Sequence, residues 1–334
     1  MKPATLRLAA LIERFFTERL MNQRRASPHT IASYRDTFRL LLRFAERRLR
    51  THPSDLELRH FDVPLIGAFL DDLESRRSVS ARTRNLRLTA IRSFFRFISF
   101  EEPSHSAHIQ RVLAIPTKRH ARRLVEFLTR PEIEALLAAP DKTTWVGRRD
   151  HALLLLAVQT GLRLSELTSL DREAVSLTRG AHVRCVGKGR KERCTPLTQY
   201  TVATLKAWLH EPCRNDVRPL FPTIHGGRLS PDAVQYLLKK HVAMARLRCS
   251  SMKHKRISPH VLRHAAAMEL LSAGVDTSVI ALWLGHESIE TTQVYLEAHL
   301  ALKEAALAKV QPVKQNTLTG YRPPDELLAF LNAL

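Results

Sequence analysis

Cysteine is scarce in this chain. Cys185, Cys194, Cys213 and Cys249 are the only four in 334 residues, too few and too widely spaced for a disulfide framework or a zinc knuckle. They fit ordinary thiols in a reducing cytoplasm. Long apolar runs are missing as well. The longest, Ala152 to Val158, falls far short of the roughly 20 residues a bilayer requires. Arg7, Glu13 and Arg14 interrupt the apolar stretch near the N-terminus, so a secretory signal is not expected there. The sequence also holds no P-loop, no carboxylate cluster suited to metal ions, no internal repeat and no low-complexity segment. Acidic residues are outnumbered, 32 against 53 lysines and arginines, which leaves a formal charge of +21 and a pI near 10.6.

A protein this basic favours a polyanion as partner. The positive residues are spread through almost every helical segment and are not gathered in a lysine-rich tail. That distribution suits a folded surface wrapping a duplex, where each neutralised phosphate releases counterions. Surplus charge kept for solubility is the alternative. A membrane-surface role would concentrate the charge beside one long apolar face, and no segment does so. Apolar residues make up 44% of the chain, enough to exclude wholesale disorder, and the length predicts two domains, each with its own core.

From Leu6 to about Phe100 apolar residues recur every three or four positions with arginines on the other faces, the pattern of a four- or five-helix domain. Ser27 and Pro28 read as a cap and first-turn proline opening a helix through Tyr34, Phe38, Leu41 and Phe44. Another helix runs from about Val79 through Leu86, Ile91, Phe94 and Phe95, with Arg82, Arg84, Arg87, Arg92 and Arg96 available for phosphates. The apolar period fades between about Glu101 and Val125, where Pro103 and Pro116 precede the basic run Lys118, Arg119, His120, Arg122 and Arg123. This reads as a phosphate-contacting linker. Thr129 and Glu132, with Pro131 between them, then form a capping box that opens a second domain. That domain is expected to be mainly helical, with helices resuming near Gln199, Pro231, Pro259, Thr277 and Ser288. Its one hairpin lies in AHVRCVGKGRKERCTPL, which alternates around a turn bracketed by Gly187 and Gly189. The predicted boundaries are 1–105 for the helical DNA-binding domain, 106–127 for the basic linker, 128–312 for the mixed domain and 313–334 for a tail.

Three clusters stand out for chemistry. In TGLRLSEL, Arg163 follows Gly161 at a helix-to-helix corner and Glu166 begins the next helix; alone this is a commonplace turn. In SPHVLRHAAAMELL, His260 and Arg263 share a helical face near the helix N-terminus, where free amides already attract phosphate. His264 stands four residues after His260, at metal-ligand spacing, so a zinc pair is an alternative there, although no third ligand of recognisable pattern accompanies it. In WLGHESIETTQVYL, His286 follows Gly285 at a helix break and Tyr295 lies nine positions later; such a tyrosine is more often core than chemistry.

Taken together, Arg163, Lys188, His260, Arg263, His286 and Tyr295 resemble the catalytic set of the tyrosine recombinase (phage integrase-like) family. TGLRLSEL resembles its first arginine box, VGKGRKER its lysine hairpin, HVLRH its His-x-x-Arg box and LGHESIETTQVY its histidine-to-tyrosine segment. The likeness is strong over about Leu128 to Val310, while the N-terminal helices match by architecture only. Six positions in four separated boxes leave little room for chance. Ala265 and Leu296 depart from the residues common in the family, but neither is a catalytic position.

The resemblance implies a mainly α protein: a SAM-like core-binding helical bundle followed by a mostly helical α+β catalytic domain with a small antiparallel sheet. It implies a site-specific recombinase that cleaves and rejoins DNA through a 3′-phosphotyrosyl intermediate, for integration, excision, resolution or transposition of a mobile element. Arg163 and Arg263 would fork onto the non-bridging oxygens, a task lysine performs poorly. Tyr295 would be the nucleophile. Its free phenol, with a pKa of about 10, needs a base, for which His260 is the candidate. Lys188 would protonate the 5′-oxygen, His286 would donate to a non-bridging oxygen, and Glu166 would be supporting. Ester exchange requires no ATP, cofactor or metal. Expected partners are double-stranded DNA with a specific site, a homotetramer on paired sites or related recombinases, and accessory DNA-bending proteins, in a bacterial cytoplasm at the nucleoid and with no membrane. Helix starting by about Leu6 suggests the compact two-domain form without an added arm-binding domain. After Tyr295 helix is expected to about Val310. The tail's Leu327, Leu328, Leu331 and Leu334 form an apolar stripe, docking in trans on a neighbouring protomer or in cis. Rival readings are a type IB topoisomerase and a catalytically idle DNA-binding regulator.

Overall fold

The computed structural model describes residues 8–120, 125–187, 191–212, 218–286, 288, 291–293 and 295. The chain divides into two compact units, Met1–Arg122 and Arg123–Leu334. None of the described helices is long and apolar enough to cross a membrane.

The first unit is a helical bundle made of α1 (Leu8–Arg14), continued with wider i→i+5 bonding over Phe15–Gln23, then α2 (Pro28–Leu49), α3 (Val63–Arg77), α4 (Ala81–Glu101) and α5 (Ser106–Leu113). Local chemistry sets the helix starts. The hydroxyls of Ser27 and Ser80 and the carboxylate of Asp62 accept the amide hydrogens of Thr30, Thr83 and Leu65, filling donors that a helix start leaves open. The apolar stripes then meet in an aromatic core. Phe94 lies edge-on to Phe15 and Phe38, with centroids 5.5 and 5.3 Å apart, a geometry that adds to simple burial.

The boundary between domain and linker differs from the sequence reading. Residues from Ser106 onward, expected as linker, form α5, which buries Ile109 and Val112 in the first core together with Ile115. Flanking Pro103 and Pro116 hid a short helix with a one-sided apolar face. The chain then stays attached: Asn85 bonds the Lys118 backbone in both directions, at 2.8 and 3.1 Å, and the Lys118 ammonium reaches Glu74.

The second unit comprises α6 (Arg130–Leu137), α7 (Trp145–Thr160), α8 (Leu164–Ser169), strands β1 (Val175–Ser176), β2 (His182–Val186) and β3 (Glu192–Pro196), then α9 (Gln199–Leu209), α10 (Pro231–Arg248), α11 (Pro259–Ser272) and α12 (Thr277–Leu284). Thr129 and Glu132 form the expected capping box at α6. The helix α7 is buried nearly all round, from Gly147 to Thr160, and packs against α9 and α11. Its charged residues are internally matched: Asp150 takes Arg149 on one oxygen and the His241 Nε2 of α10 on the other, at 2.7 and 2.8 Å. The sheet is antiparallel in the order β1-β2-β3. The two-residue β1 was too short to leave an alternating signal and was not foreseen. Val183, Cys185 and Thr195 face inward, while Arg184, Glu192 and Cys194 face out.

If the aromatic cluster carries the first unit, Phe94→Ala should lower its stability by about 3–5 kcal/mol, as expected for truncating a fully packed ring, while Phe100→Ala, at a side chain 84% exposed, should leave it within about 0.5 kcal/mol. Urea titration followed by far-UV circular dichroism measures both.

Candidate active site

The corner between α7 and α8 places the first residues of the site. The α7 helix ends at Gly161, whose φ of +63° is the left-handed cap that glycine adopts at no steric cost. Space requires glycine too, because a Cβ there would sit 2.6 Å from the Leu284 side chain of α12. The turn delivers Arg163 to the first position before α8, and Glu166 folds back to accept the Arg163 amide hydrogen at 2.7 Å.

Glu166 is the hub. Its Oε1 accepts from Arg163 Nη1 and Arg193 Nη1, both at 2.9 Å, and its Oε2 accepts from Arg193 Nη2 at 2.6 Å in addition to the Arg163 amide. Burial alone would raise this carboxyl's pKa, but the hydrogen bonds from Arg193 and the Arg163 backbone outweigh it and hold the pKa down to about 2. The other fork of Arg163, Nη2, donates to the Gly285 carbonyl at 2.9 Å.

Arg263 comes from α11 and is 5% exposed. Its Nη1 and Nη2 donate to the carbonyls of Gly161 and Leu284, each at 2.7 Å. These carbonyls end α7 and α12, so their negative helix dipoles face the guanidinium. Burial, and then the neighbouring Arg163, lower its pKa to about 10, which leaves it charged at neutral pH.

The phenol of Tyr295 arrives beside this pair. The side chain is 2% exposed and stacks on His286, with ring planes 16° apart. Its hydroxyl lies 3.0 Å from Nδ1 of His264. Burial raises the phenol's pKa, while Arg263 and then Arg163 pull it back, so both arginines act electrostatically on this oxygen. Burial, followed by the neighbouring His260 and Arg263, lowers the pKa of His264 to about 4. His286 is likewise held near 4, first by burial and then by Arg263 and Arg163, and its Nδ1 meets the Thr292 hydroxyl at 2.8 Å. Both imidazoles are therefore neutral at physiological pH, and in the tautomer that leaves Nδ1 unprotonated His264 accepts the hydrogen bond of the phenol.

Arg163, Glu166, Arg263, His286 and Tyr295 converge. His260 is exposed at the first turn of α11 and makes no hydrogen bond to Tyr295. Lys188, Arg122, Arg123, the helix expected to reach Val310 and the tail 313–334 lie outside the described residues. For the zinc alternative, no further His, Cys, Asp or Glu joins His260 and His264 in a group that could hold a metal, among the described residues. Of the basic residues expected to meet phosphate, Arg84 is buried against Glu74, and Arg87 Nη1 bonds the Ser33 carbonyl and the Thr37 hydroxyl at 3.0 Å. These two brace their own bundle. Arg82 and Arg119 are exposed, as is the Lys118 side chain beside Glu74.

Two site residues escaped the sequence reading. His264 was considered only as a metal partner, because helical spacing alone does not separate it from His260. Arg193 left a usable signal: it alternates with Thr195 and pairs with Cys185 across the ladder, so period-two logic puts an arginine on the buried face of β3.

Residues 126–301 match the phage integrase family, and residues 12–102 match the phage integrase N-terminal SAM-like domain. The y4rC protein of Sinorhizobium fredii, which carries an integrase/recombinase name, is 63% identical over 98% of each chain. Tyrosine recombinase XerC of Chlamydia muridarum is 32% identical over 89% of this chain and 96% of its own. Among solved structures, the XerH site-specific recombinase in a post-cleavage complex with palindromic difH substrate shares the fold, with a TM-score of 0.68 at 24% identity, covering 86% of this chain and 81% of that one. The Tn1549 transposon integrase in complex with circular intermediate DNA shares it with a TM-score of 0.65 at 14% identity, covering 89% and 98%.

If Glu166 is the hub, its pKa shift is a stability term. The folded value lies below the unfolded one, so the contribution is complete above about pH 4.5 and is lost as pH falls toward about 2. Glu166→Gln should cost on the order of 3 kcal/mol at pH 7, with the difference from wild type shrinking through that acid window, as followed by urea melts at stepped pH. A difference that does not change with pH would contradict the assignment. With the match spanning both units and a relative this similar along its whole length, the chain belongs to the phage integrase family and is a tyrosine-type DNA recombinase.

Proposed function

We propose that the chain performs site-specific recombination by cleaving and rejoining DNA through a 3′-phosphotyrosyl intermediate at Tyr295. The observation that carries this reading is the convergence of one buried phenol with two arginines held by fixed acceptors. The Tyr295 oxygen attacks a backbone phosphorus, the bond to the 5′-oxygen breaks, and the phosphate becomes a tyrosyl ester beside a free 5′-hydroxyl. Arg163 and Arg263 meet the charge that builds on the non-bridging oxygens. Their orientation is fixed before substrate arrives, which removes the reorganisation that water would need. Neutral His286 donates one more hydrogen bond to the same oxygens. Lys188, which lies between β2 and β3 in sequence, protonates the departing oxygen. Attack by that 5′-hydroxyl, or by one from another strand, reverses the step, so the ester energy is conserved and no nucleotide is consumed.

The phenolic proton needs an acceptor. Nδ1 of His264 lies 3.0 Å from the hydroxyl, and that distance makes it the acceptor in this reading, with His260 the alternative at the exposed start of α11.

In this reading the first unit holds the duplex from one side, with Arg82, Lys118, Arg119 and the Arg122–Arg123 run near phosphates. Residues 128–312 form the catalytic domain. The apolar stripe of 313–334 docks on a neighbouring protomer, building a tetramer on paired sites in the bacterial cytoplasm. Within the catalytic unit a cavity of about 730 Å³ lined by Leu137, Leu155, Val158, Leu270 and Trp283 is an acceptor of suitable chemistry for such a stripe. Movement of a mobile element by integration, excision, resolution or transposition is the biological outcome that this chemistry serves.

Tyr295→Phe should bind duplex DNA as wild type does and form no covalent adduct with a nicked suicide substrate on a denaturing gel; an adduct with that variant would refute the nucleophile. His264→Ala should slow single-turnover cleavage by about a hundredfold or more, as for loss of a general base, with partial recovery in added imidazole. An undiminished rate would move the acceptor to His260.

A further inference from the structure

The arginine that ties the site together is not one of the six in the family's catalytic set. Arg193 sits on the inward face of β3, opposite Cys185 in the ladder, with 12% of its side chain exposed. Its two terminal nitrogens grip both oxygens of Glu166, at 2.9 and 2.6 Å. The same two oxygens hold the amide and the guanidinium of Arg163. The same guanidinium fills the space beside Gly285: a Cβ there would lie 2.9 Å from Nη1 and 3.2 Å from Cδ. Gly285 in turn gives its carbonyl to Arg163 and directly precedes His286. Gly187, the last described residue before Lys188, also abuts the pair, since a Cβ there would stand 3.0 Å from Arg193 Nη1 and 3.2 Å from Glu166 Oε1. One side chain therefore touches three separate stretches of the site.

We propose that Arg193 is a positioning residue for phosphoryl transfer, setting the Arg163 guanidinium through Glu166 and seating the Gly285 turn that carries His286. The proposal rests on the reading of Arg163 as a phosphate ligand. Without Arg193, Glu166 keeps its two bonds to Arg163 but loses the fork that braces its carboxylate from the β3 side, and the floor of the Gly285 turn is emptied. The guanidinium of Arg163 would then sample several directions, and its donors would reach the phosphate oxygens only part of the time. A lysine cannot supply the missing fork, because it presents a point charge and not two parallel donors. A buried ion pair commonly adds little stability over apolar groups of the same shape. What it adds here is direction.

The test compares two substrates, one with an ordinary scissile phosphodiester and one with a methylphosphonate at that position. The methyl group replaces a non-bridging oxygen and removes the negative charge, so an arginine clamp has less to stabilise. Arg193→Ala and Arg193→Lys, each checked for duplex binding equal to wild type, should cleave the phosphodiester about a hundredfold and about tenfold more slowly, in line with impairment of one transition-state donor. On the methylphosphonate both should fall within about threefold of wild type, the pattern also expected of Arg163→Ala. Should the alanine variant not fold, the lysine variant, which retains the buried cation, carries the comparison. Equal losses on both substrates, or no loss on either, would overturn the proposal. A wild-type chain that binds DNA but cleaves neither substrate would overturn the functional reading as well, and is distinguished by failing before any substitution is made.

Discussion

The buried carboxylate of Glu166 is the constraint on which the site depends. Its two oxygens accept four N–H groups, from the Arg163 backbone, the Arg163 side chain and both arms of Arg193. An isolated carboxylate that is only 3% exposed would be costly, and two converging guanidiniums would repel each other; together they satisfy one another. The arrangement also solves a folding problem, because it links the α7–α8 corner, the β2–β3 ladder and the turn after α12, which are far apart in sequence.

The second arginine is held by a different device. Arg263 meets no carboxylate among the described residues and is instead clasped by the carbonyls of Gly161 and Leu284, which close α7 and α12. Carbonyl acceptors fix its direction without cancelling its charge, so its positive potential is retained. The two histidines beside it are kept neutral by burial and by this cationic surrounding. Tyr295 is kept protonated by burial, while the arginines oppose that effect. The Tyr295 phenol is thus covered and lies against a neutral imidazole.

Much of this was legible in the sequence where local chemistry dominates. Ser27 with Pro28, and Thr129 with Glu132, marked helix starts that the structure repeats, and glycine at 161 marked the corner that presents Arg163. Where tertiary packing decides, the sequence said less. Nothing local distinguished an arginine bound for phosphate from one bound for a carbonyl, and so Arg84 and Arg87 were read as surface contacts although they brace the bundle. The helix from Ser106 was masked by the prolines that flank it, Pro103 and Pro116. His264 and Arg193 owe their roles to partners 31 and 27 residues away in sequence, which no periodicity can show, although the alternation of β3 did place Arg193 on the inner face.

The most direct measurement is to map the covalent bond itself. Protein trapped on a nicked duplex would be digested with protease and nuclease, and the nucleotide-bearing peptide sequenced by tandem mass spectrometry. The account predicts one modified peptide, with Tyr295 esterified to a 3′-phosphate. A nucleotide attached to any other residue, or linked through a 5′-phosphate, would contradict it.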